Sequence, residues 1–216
     1  AINLMVKIGK CLISAGPTRE WIDSVRYLSN PSSGKMGFEL ARSAMEKGLD
    51  VTLVSGPVSL SCPEGVNFVS VETALEMREA LIDFFAEADL TIMSAAVSDH
   101  RPENLGNLKI KKDQLPDQLK LIPNPDILLE LGKLKGSQQT LVGFAAESDD
   151  HLDNARKKLE GKNLDWIVVN DISNRTIGFE SEKNEVTLLS RKNETFTLPL
   201  STKREIASGI LQRIWK

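Results

Sequence analysis

Short apolar runs alternate with helix-period segments along most of this chain, and that alternation limits the possible folds more than any other feature. KCLISAG (10–16), DVTLVSG (50–56), VNFVSV (66–71), DLTIMSAA (89–96), TLVGFAAE (140–147) and LDWIVVN (164–170) are strand-length runs, apolar through most of their length. Runs of this kind suit strands buried on both faces. Between them lie helix patterns at 36–48, closed by Gly48, and at 73–88, with Thr73 as N-cap. Two more follow, at 125–135 with Pro125 in the first turn, and at 149–162, rich in Lys and Arg. The alternation predicts an α/β fold, Rossmann-like and doubly wound, with a mainly parallel sheet. NEVTLLS (184–190) and ETFTLPL (194–200), joined by RKN, depart from it and predict a C-terminal antiparallel hairpin. A last helix is expected over 201–216. The stretches 17–33 and 97–117 read as irregular, and loops of that length tend to carry function. A chain of 216 residues suits one domain, expected to span 1–216.

Composition removes several function classes. A net charge of -3 argues against nucleic-acid binding by bulk electrostatics. No apolar run approaches the roughly 20 residues of a membrane span, and AINLMVKIGK does not lead into a cleavage-like segment. Cys11 and Cys62 stand far apart, and with only His100 and His151 no metal spacing arises. A reduced, cytoplasmic setting is the expectation. The chain does not begin with Met, which suggests processing or excision from a longer protein.

In doubly wound sheets, ligands bind beyond the carboxyl ends of the strands. Those ends here are Gly16, Gly56, Ala95–Ala96, Phe144–Glu147 and Asn170–Asp171. SNPSSGKMG (29–37) opens a helix beside the first of them. It fails as a P-loop, because Ser29 and Met36 stand where glycine and Ser/Thr belong. It fits a dinucleotide fingerprint poorly. PTREWIDSVRYLSNP separates it from the first strand, and SGPVSLS lacks the acid that holds a ribose. An NAD(P)-dependent oxidoreductase is therefore the alternative reading. Two possibilities remain for the loop itself: an anion site built on Gly34, Gly37, two serines and the N–H groups of a helix start, or a capped helix with Gly37 serving packing.

AGPTRE (15–20), VRYLSNPSSGKMG (25–37), VTLVSGPVSL (51–60), AAVSDHR (95–101), KIKK (109–112), NPDIL (124–128), VGFAAES (142–148) and KNLDWIVVND (162–171) together resemble the phosphopantothenoylcysteine synthetases. These are acid–amino-acid ligases of coenzyme A biosynthesis. The form resembled is the bacterial one that uses CTP and is often fused behind a flavin-dependent decarboxylase. The resemblance covers nearly the whole chain in one order. It implies two steps. The carboxylate of 4′-phosphopantothenate attacks the α-phosphate of CTP to give an acyl-cytidylate and pyrophosphate. The amine of L-cysteine then displaces CMP. It also implies Mg²⁺, with ligands unknown, and a homodimer.

The resemblance further implies roles for particular residues. Asn30 would hold the acyl-nucleotide intermediate, since a neutral amide offers both donor and acceptor. Arg26 would present its fork to the substrate side, and Ser32, Ser33 and Gly34 would add donors there. Ala95 and Ala96 would place backbone groups beside the ligand. Lys109 would promote turnover of the intermediate, a role Lys111 or Lys112 could also fill. Asp99, Asn124, Pro125, Asp126 and Phe144 would contact the nucleotide. Lys158 and Lys162, at i and i+4, would share a face toward the triphosphate. His100 and Pro123 depart from the pattern of relatives, and no chemistry is assigned to them.

Overall fold

The computed structural model describes residues 8–103, 109–111, 113, 117–147, 151–171 and 182–215. Lys112, Ser148, the first two positions of the 149–162 helix pattern and Lys216 lie outside the described residues. The chain begins with β1 (Lys10–Ala15), β2 (Arg19–Asp23), β3 (Arg26–Ser29), α1 (Lys35–Glu46), β4 (Asp50–Ser55) and β5 (Asn67–Ser70). It continues with α2 (Ala74–Phe85), β6 (Leu90–Met93), β7 (His100–Pro102), β8 (Leu121–Pro123), α3 (Ile127–Leu134) and β9 (Thr140–Glu147). It ends with α4 (His151–Gly161), β10 (Trp166–Asp171), β11 (Lys183–Ser190), β12 (Thr195–Thr202) and α5 (Lys203–Ile214).

Eight strands form one sheet in the order β12-β11-β10-β9-β6-β1-β4-β5. From β5 across to β10 the pairing is parallel; β11 and β12 add an antiparallel hairpin at the edge. From β1 the chain builds outward through β4 and β5. It then returns to pair β6 on the other side of β1 and builds outward again through β9 and β10. The strand order thus reverses between β1 and β6.

Alternation along β1 explains the layering, because successive side chains point to opposite faces. Cys11, Ile13 and Ala15 pack with Phe38, Leu40 and Ala41 of α1 and with Ile206, Ile210 and Leu211 of α5. Leu12 packs in the opposite layer, with Met77, Leu81 and Phe85 of α2, Ile127 and Leu131 of α3, and Leu159 of α4. Both layers are needed because every β1 residue after Lys10 is buried. Capping boxes at Thr73/Glu76 and Thr202/Glu205 start α2 and α5. The expected fold class, the C-terminal hairpin and the Thr73 cap are all present.

Four local expectations need correction. The stretch 17–33 is not irregular: β2 and β3 form an antiparallel hairpin, with Arg19 opposite Ser29 and Trp21 opposite Tyr27. Its pattern is inverted, with Glu20 and Asp23 buried and Trp21 exposed, so polarity concealed the strand. Glu20 is accommodated because it accepts the Ala74 N–H at the start of α2. Part of 97–117 is also ordered, since β7 pairs with β8; three-residue strands leave almost no period to detect. The strand expected over 89–96 stops at Met93, and Ala96 instead bridges to Pro17. Pro125 lies ahead of α3 rather than in its first turn, because the Asp126 side chain caps the helix at the Leu129 N–H.

Gly37 fixes how closely α1 approaches the sheet. A Cβ there would sit 2.4 Å from the Ala15 Cβ and 2.8 Å from the Ser94 Oγ. Gly37→Ala is expected to destabilise the fold by about 1–3 kcal/mol through overpacking. Urea unfolding measures this, and an unchanged midpoint would contradict the contact.

Candidate active site

A cavity of about 500 Å³ opens at the carboxyl ends of β1 and β6, where the strand order reverses. Ligand crevices of doubly wound folds form at this point. One wall is the segment Asn30–Gly37 leading into α1. A second is Ser94–Val97 with Asp99, after β6. Phe144–Ala146 of β9 form a third. Asn170 of β10, Asn184 of β11 and Lys203 of α5 complete it. Thus Asn30, Ser32, Ser33, Gly34, Ala95, Ala96, Asp99 and Phe144, which the sequence singled out, line one cavity.

The mouth is held by cross-links between the segments after β1, β3 and β6. The Asn30 Nδ2 donates to the Ala96 carbonyl at 3.0 Å. The Ala96 N–H donates to the Gly16 carbonyl at 2.9 Å. The Ser98 N–H donates to the Thr18 Oγ1 at 3.0 Å, and the Ser29 Oγ donates to the Thr18 carbonyl at 2.8 Å. Asn30 is therefore positioned by backbone from a different strand end. Gly34 stands before α1 with φ 76, the left-handed region, and α1 begins without a side-chain cap. That leaves the helix start facing the cavity without the usual side-chain acceptor.

The other expected residues lie outside the cavity lining, in a surrounding frame. Arg26 does not present an open fork. Its Nε donates to the Asp23 Oδ2 at 3.0 Å, and its Nη2 bonds both that oxygen and the Ile110 carbonyl, the latter at 3.0 Å. The Ile110 N–H donates to the Asp23 Oδ2 at 3.2 Å. The Asp23 carboxylate is fully buried, and the guanidinium of Arg26 beside it holds its carboxyl well below the usual range. Together the pair grips both polar groups of one peptide unit's neighbour, Ile110, between Lys109 and Lys111. Asn124 donates to the Ser98 carbonyl and accepts from Arg101, fastening the Asp99 segment to the entrance of α3. Asp126 accepts from the Lys162 Nζ at 2.8 Å. Burial alone would raise the Asp126 carboxyl, but Lys162 and the Leu129 N–H outweigh it, and its pKa is lowered. Lys158 is exposed on α4, and Lys162 follows that helix, so α4 and α3 are tied through Asp126.

Lys35, Asn184 and Lys203 line the cavity although the sequence did not single them out, as does Asn170, which it gave only as a strand end. Lys35 stood inside the glycine segment, and Asn170 at a strand end, so both carried some signal. Asn184 and Lys203 carried only the pattern of a strand and a helix start. The Asn170 Oδ1 is buried with no hydrogen-bond partner among the described residues, so a ligand donor would satisfy it. No group of three or more His, Cys, Asp or Glu suited to a metal occurs among the described residues. None of their helices is long and apolar enough to cross a membrane.

Comparison with known proteins places this geometry. Residues 6–216 match the family described as the DNA/pantothenate metabolism flavoprotein C-terminal domain. A Vibrio cholerae protein named Coenzyme A biosynthesis bifunctional protein CoaBC is 45% identical over 212 residues, which cover 97% of this chain and 53% of that protein. A protein named Cysteine/Cysteine sulfinic acid decarboxylase, from an unknown prokaryotic organism, is 44% identical over 206 residues, covering 95% and 57%. The chain thus spans about half the length of the curated relatives it matches. The crystal structure of the C-terminal domain of Coenzyme A biosynthesis bifunctional protein CoaBC superposes with a TM-score of 0.81 at 41% identity, covering 95% of this chain and 93% of that one.

The Asp23–Arg26 grip on Ile110 predicts a local effect. Asp23→Asn should speed tryptic cleavage after Lys109 and Lys111 several-fold, followed by mass spectrometry of the fragments. Cleavage at the wild-type rate would show that the grip does not restrain this segment.

Proposed function

The chain belongs to the family of the DNA/pantothenate metabolism flavoprotein C-terminal domain, and on that premise we propose that it is a phosphopantothenate–cysteine ligase. The observation that carries this reading is the Asn30–Ala96 hydrogen bond across the mouth of the strand-reversal cavity. It joins the residue that the resemblance assigns to the acyl-nucleotide intermediate to a backbone position that the resemblance places beside the ligand.

A free carboxylate is a poor acyl donor, so it must first be activated. The carboxylate oxygen of 4′-phosphopantothenate attacks the α-phosphorus of CTP, and the bond to pyrophosphate breaks. The amine of cysteine then attacks the acyl carbon. The acyl carbon–oxygen bond breaks, CMP leaves with that oxygen, and the amine loses a proton. The site therefore has to collect several anions and keep water from a mixed anhydride.

The residues divide this work. The start of α1, with Ser32, Ser33 and Gly34 before it, directs N–H and hydroxyl groups at phosphate oxygens. Asn30 holds the acyl phosphate with a neutral amide, where a second carboxylate would repel it. Phe144 packs against the nucleotide and Asp99 takes a ribose hydroxyl. Lys109, on the segment gripped by Asp23 and Arg26, stabilises the charge that moves as CMP departs. Arg26 acts in part through that grip, and Asn124, Pro125, Asp126, Lys158 and Lys162 shape the nucleotide end. Mg²⁺ would accompany the triphosphate and neutralise part of its charge, held by phosphate oxygens and water; Asp99, a carboxylate of the cavity wall, is the side chain that would bind it in place of the ribose hydroxyl. We further propose a cytoplasmic homodimer whose full-length form carries a flavin-dependent decarboxylase.

Pyrophosphate release tests the reading, with 4′-phosphopantothenate and either CTP or ATP, with and without cysteine. Release with CTP and not ATP is expected; no release with either nucleotide would contradict the ligase. Asn30→Asp should lose roughly a hundredfold or more in rate, comparable to removing an oxyanion donor. Full activity would remove Asn30 from the chemistry. Lys109→Gln should slow the second step and let the acyl-cytidylate build up to detection by mass spectrometry. A slow enzyme that never accumulates it would contradict the role given to Lys109.

A further inference from the structure

A second cavity, of about 460 Å³, lies at the opposite end of the sheet. Thr140 and Trp166, which line it, are the first residues of β9 and β10, and Ser190 is the last residue of β11. The cavity therefore opens at the amino ends of the parallel strands, away from the usual ligand crevice of a doubly wound fold. Core packing separates it from the strand-reversal cavity. Along β10, Trp166, Val168 and Asn170 point to one face. Trp166 lines the second cavity, Val168 is buried, and Asn170 lines the first. Along α5, Lys203 lines the first cavity, Ile206 and Ile210 are buried, and Arg213 lines the second. A ligand held here is thus a different molecule from one held at Asn30.

The lining combines aromatic rings with cations. Trp166 and Phe196 are half-buried, with ring centroids 6.1 Å apart. Arg213, in the last turn of α5, lays its guanidinium over the Phe196 ring, 4.5 Å from the centroid. Arg191, just after β11, is braced by two hydrogen bonds. Its Nε donates to the Leu164 carbonyl at 2.9 Å and its Nη2 to the Asn163 Oδ1 at 2.7 Å. Those bonds fix the plane of the fork and leave N–H groups of the guanidinium over. Lys192 adds a third cation to the lining. Two carboxylates share it. Asp165 is bound to the Lys135 Nζ at 2.7 Å and to the Leu141 N–H at 2.8 Å, so its charge is matched outside the cavity. Glu194 accepts from the Ser190 Oγ at 3.0 Å. The rim therefore carries excess positive charge beside an aromatic wall. A braced arginine and an arginine laid on a ring suit a planar group that bears an anion.

We propose that this second cavity binds a nucleoside monophosphate. The base stacks on the Trp166 and Phe196 wall. The phosphate takes the forks of Arg191 and Arg213 and the ammonium of Lys192. The Glu194 carboxylate and the Gln212 amide, also in the lining, suit ribose hydroxyls and the base edge. The volume falls within the range of about 300–1,000 Å³ that small-molecule sites occupy. None of these residues lines the strand-reversal cavity, so the site stands independently of the ligase reading.

Calorimetric titration with AMP, CMP, GMP and UMP tests the proposal on the wild type, Arg213→Gln and Phe196→Leu, with the matching nucleosides and inorganic phosphate as controls. At least one monophosphate should bind the wild type in a step that each variant weakens about tenfold or more, as loss of a charge-assisted or stacking contact does. Its nucleoside and inorganic phosphate should each bind that step at least tenfold more weakly. The same step should change tryptophan fluorescence in the wild type, and Trp166→Phe should remove most of that change. Wild-type affinity for all four monophosphates in both variants would assign any binding to the strand-reversal cavity and overturn the site. Failure of the wild type to bind any of the four would do the same. Inorganic phosphate bound as tightly as the nucleotides, with no effect of Phe196→Leu, would leave a plain anion site and overturn the nucleotide assignment. Arg213 is exposed, so Arg213→Gln keeps the test valid should Phe196→Leu fail to fold.

Discussion

Everything at the site follows from one constraint of the sheet: β1 has parallel neighbours on both sides, and the chain can reach them only by leaving in opposite directions. The connections after β1 and β6 therefore part, and a crevice opens between them. Strand-end peptides that have left the ladder face into it, along with the uncapped start of α1. The protein closes this gap with hydrogen bonds from side chains and backbone rather than with a core. Asn30, Thr18 and Ala96 stitch the segments after β3, β1 and β6 together. The result is a polar concavity on a rigid rim, which is what positioning several anions requires.

Ion pairs hold the segments around that concavity. In the frame, cations and anions are matched. Arg26 meets Asp23, and Lys162 meets Asp126. In the cavity wall Lys35 pairs with Glu182, and Lys203 lies near both. Such pairs hold segments in place. The Asp23–Arg26 pair shows this most clearly, because it reaches from one hairpin to grip the backbone beside Lys109.

The sheet was legible because its strands are apolar on both faces, so hydrophobicity alone marked β1, β4, β6, β9 and β10. The β2–β3 hairpin was not, because its buried positions are Glu20 and Asp23. Their burial is compensated by hydrogen bonds to Ala74, Arg26 and Ile110 that no local pattern reveals. The same division holds at the site. Asn30, the Ser32–Gly34 turn, Ala95, Ala96, Asp99 and Phe144 were found together because strand ends locate a crevice. Arg26 looked like an open phosphate fork, since a sequence cannot show that a guanidinium is already engaged. Lys203 looked like an ordinary helix start, since only the packing of α5 beside α1 brings it to Lys35.

The central claim is that the substrate carboxylate is activated on the α-phosphorus of CTP inside this one cavity. Oxygen tracing tests it directly. With 4′-phosphopantothenate labelled with ¹⁸O in its carboxylate, one labelled oxygen should appear in CMP and none in pyrophosphate. Label in inorganic phosphate or pyrophosphate, or unlabelled CMP after full turnover to amide, would contradict the account.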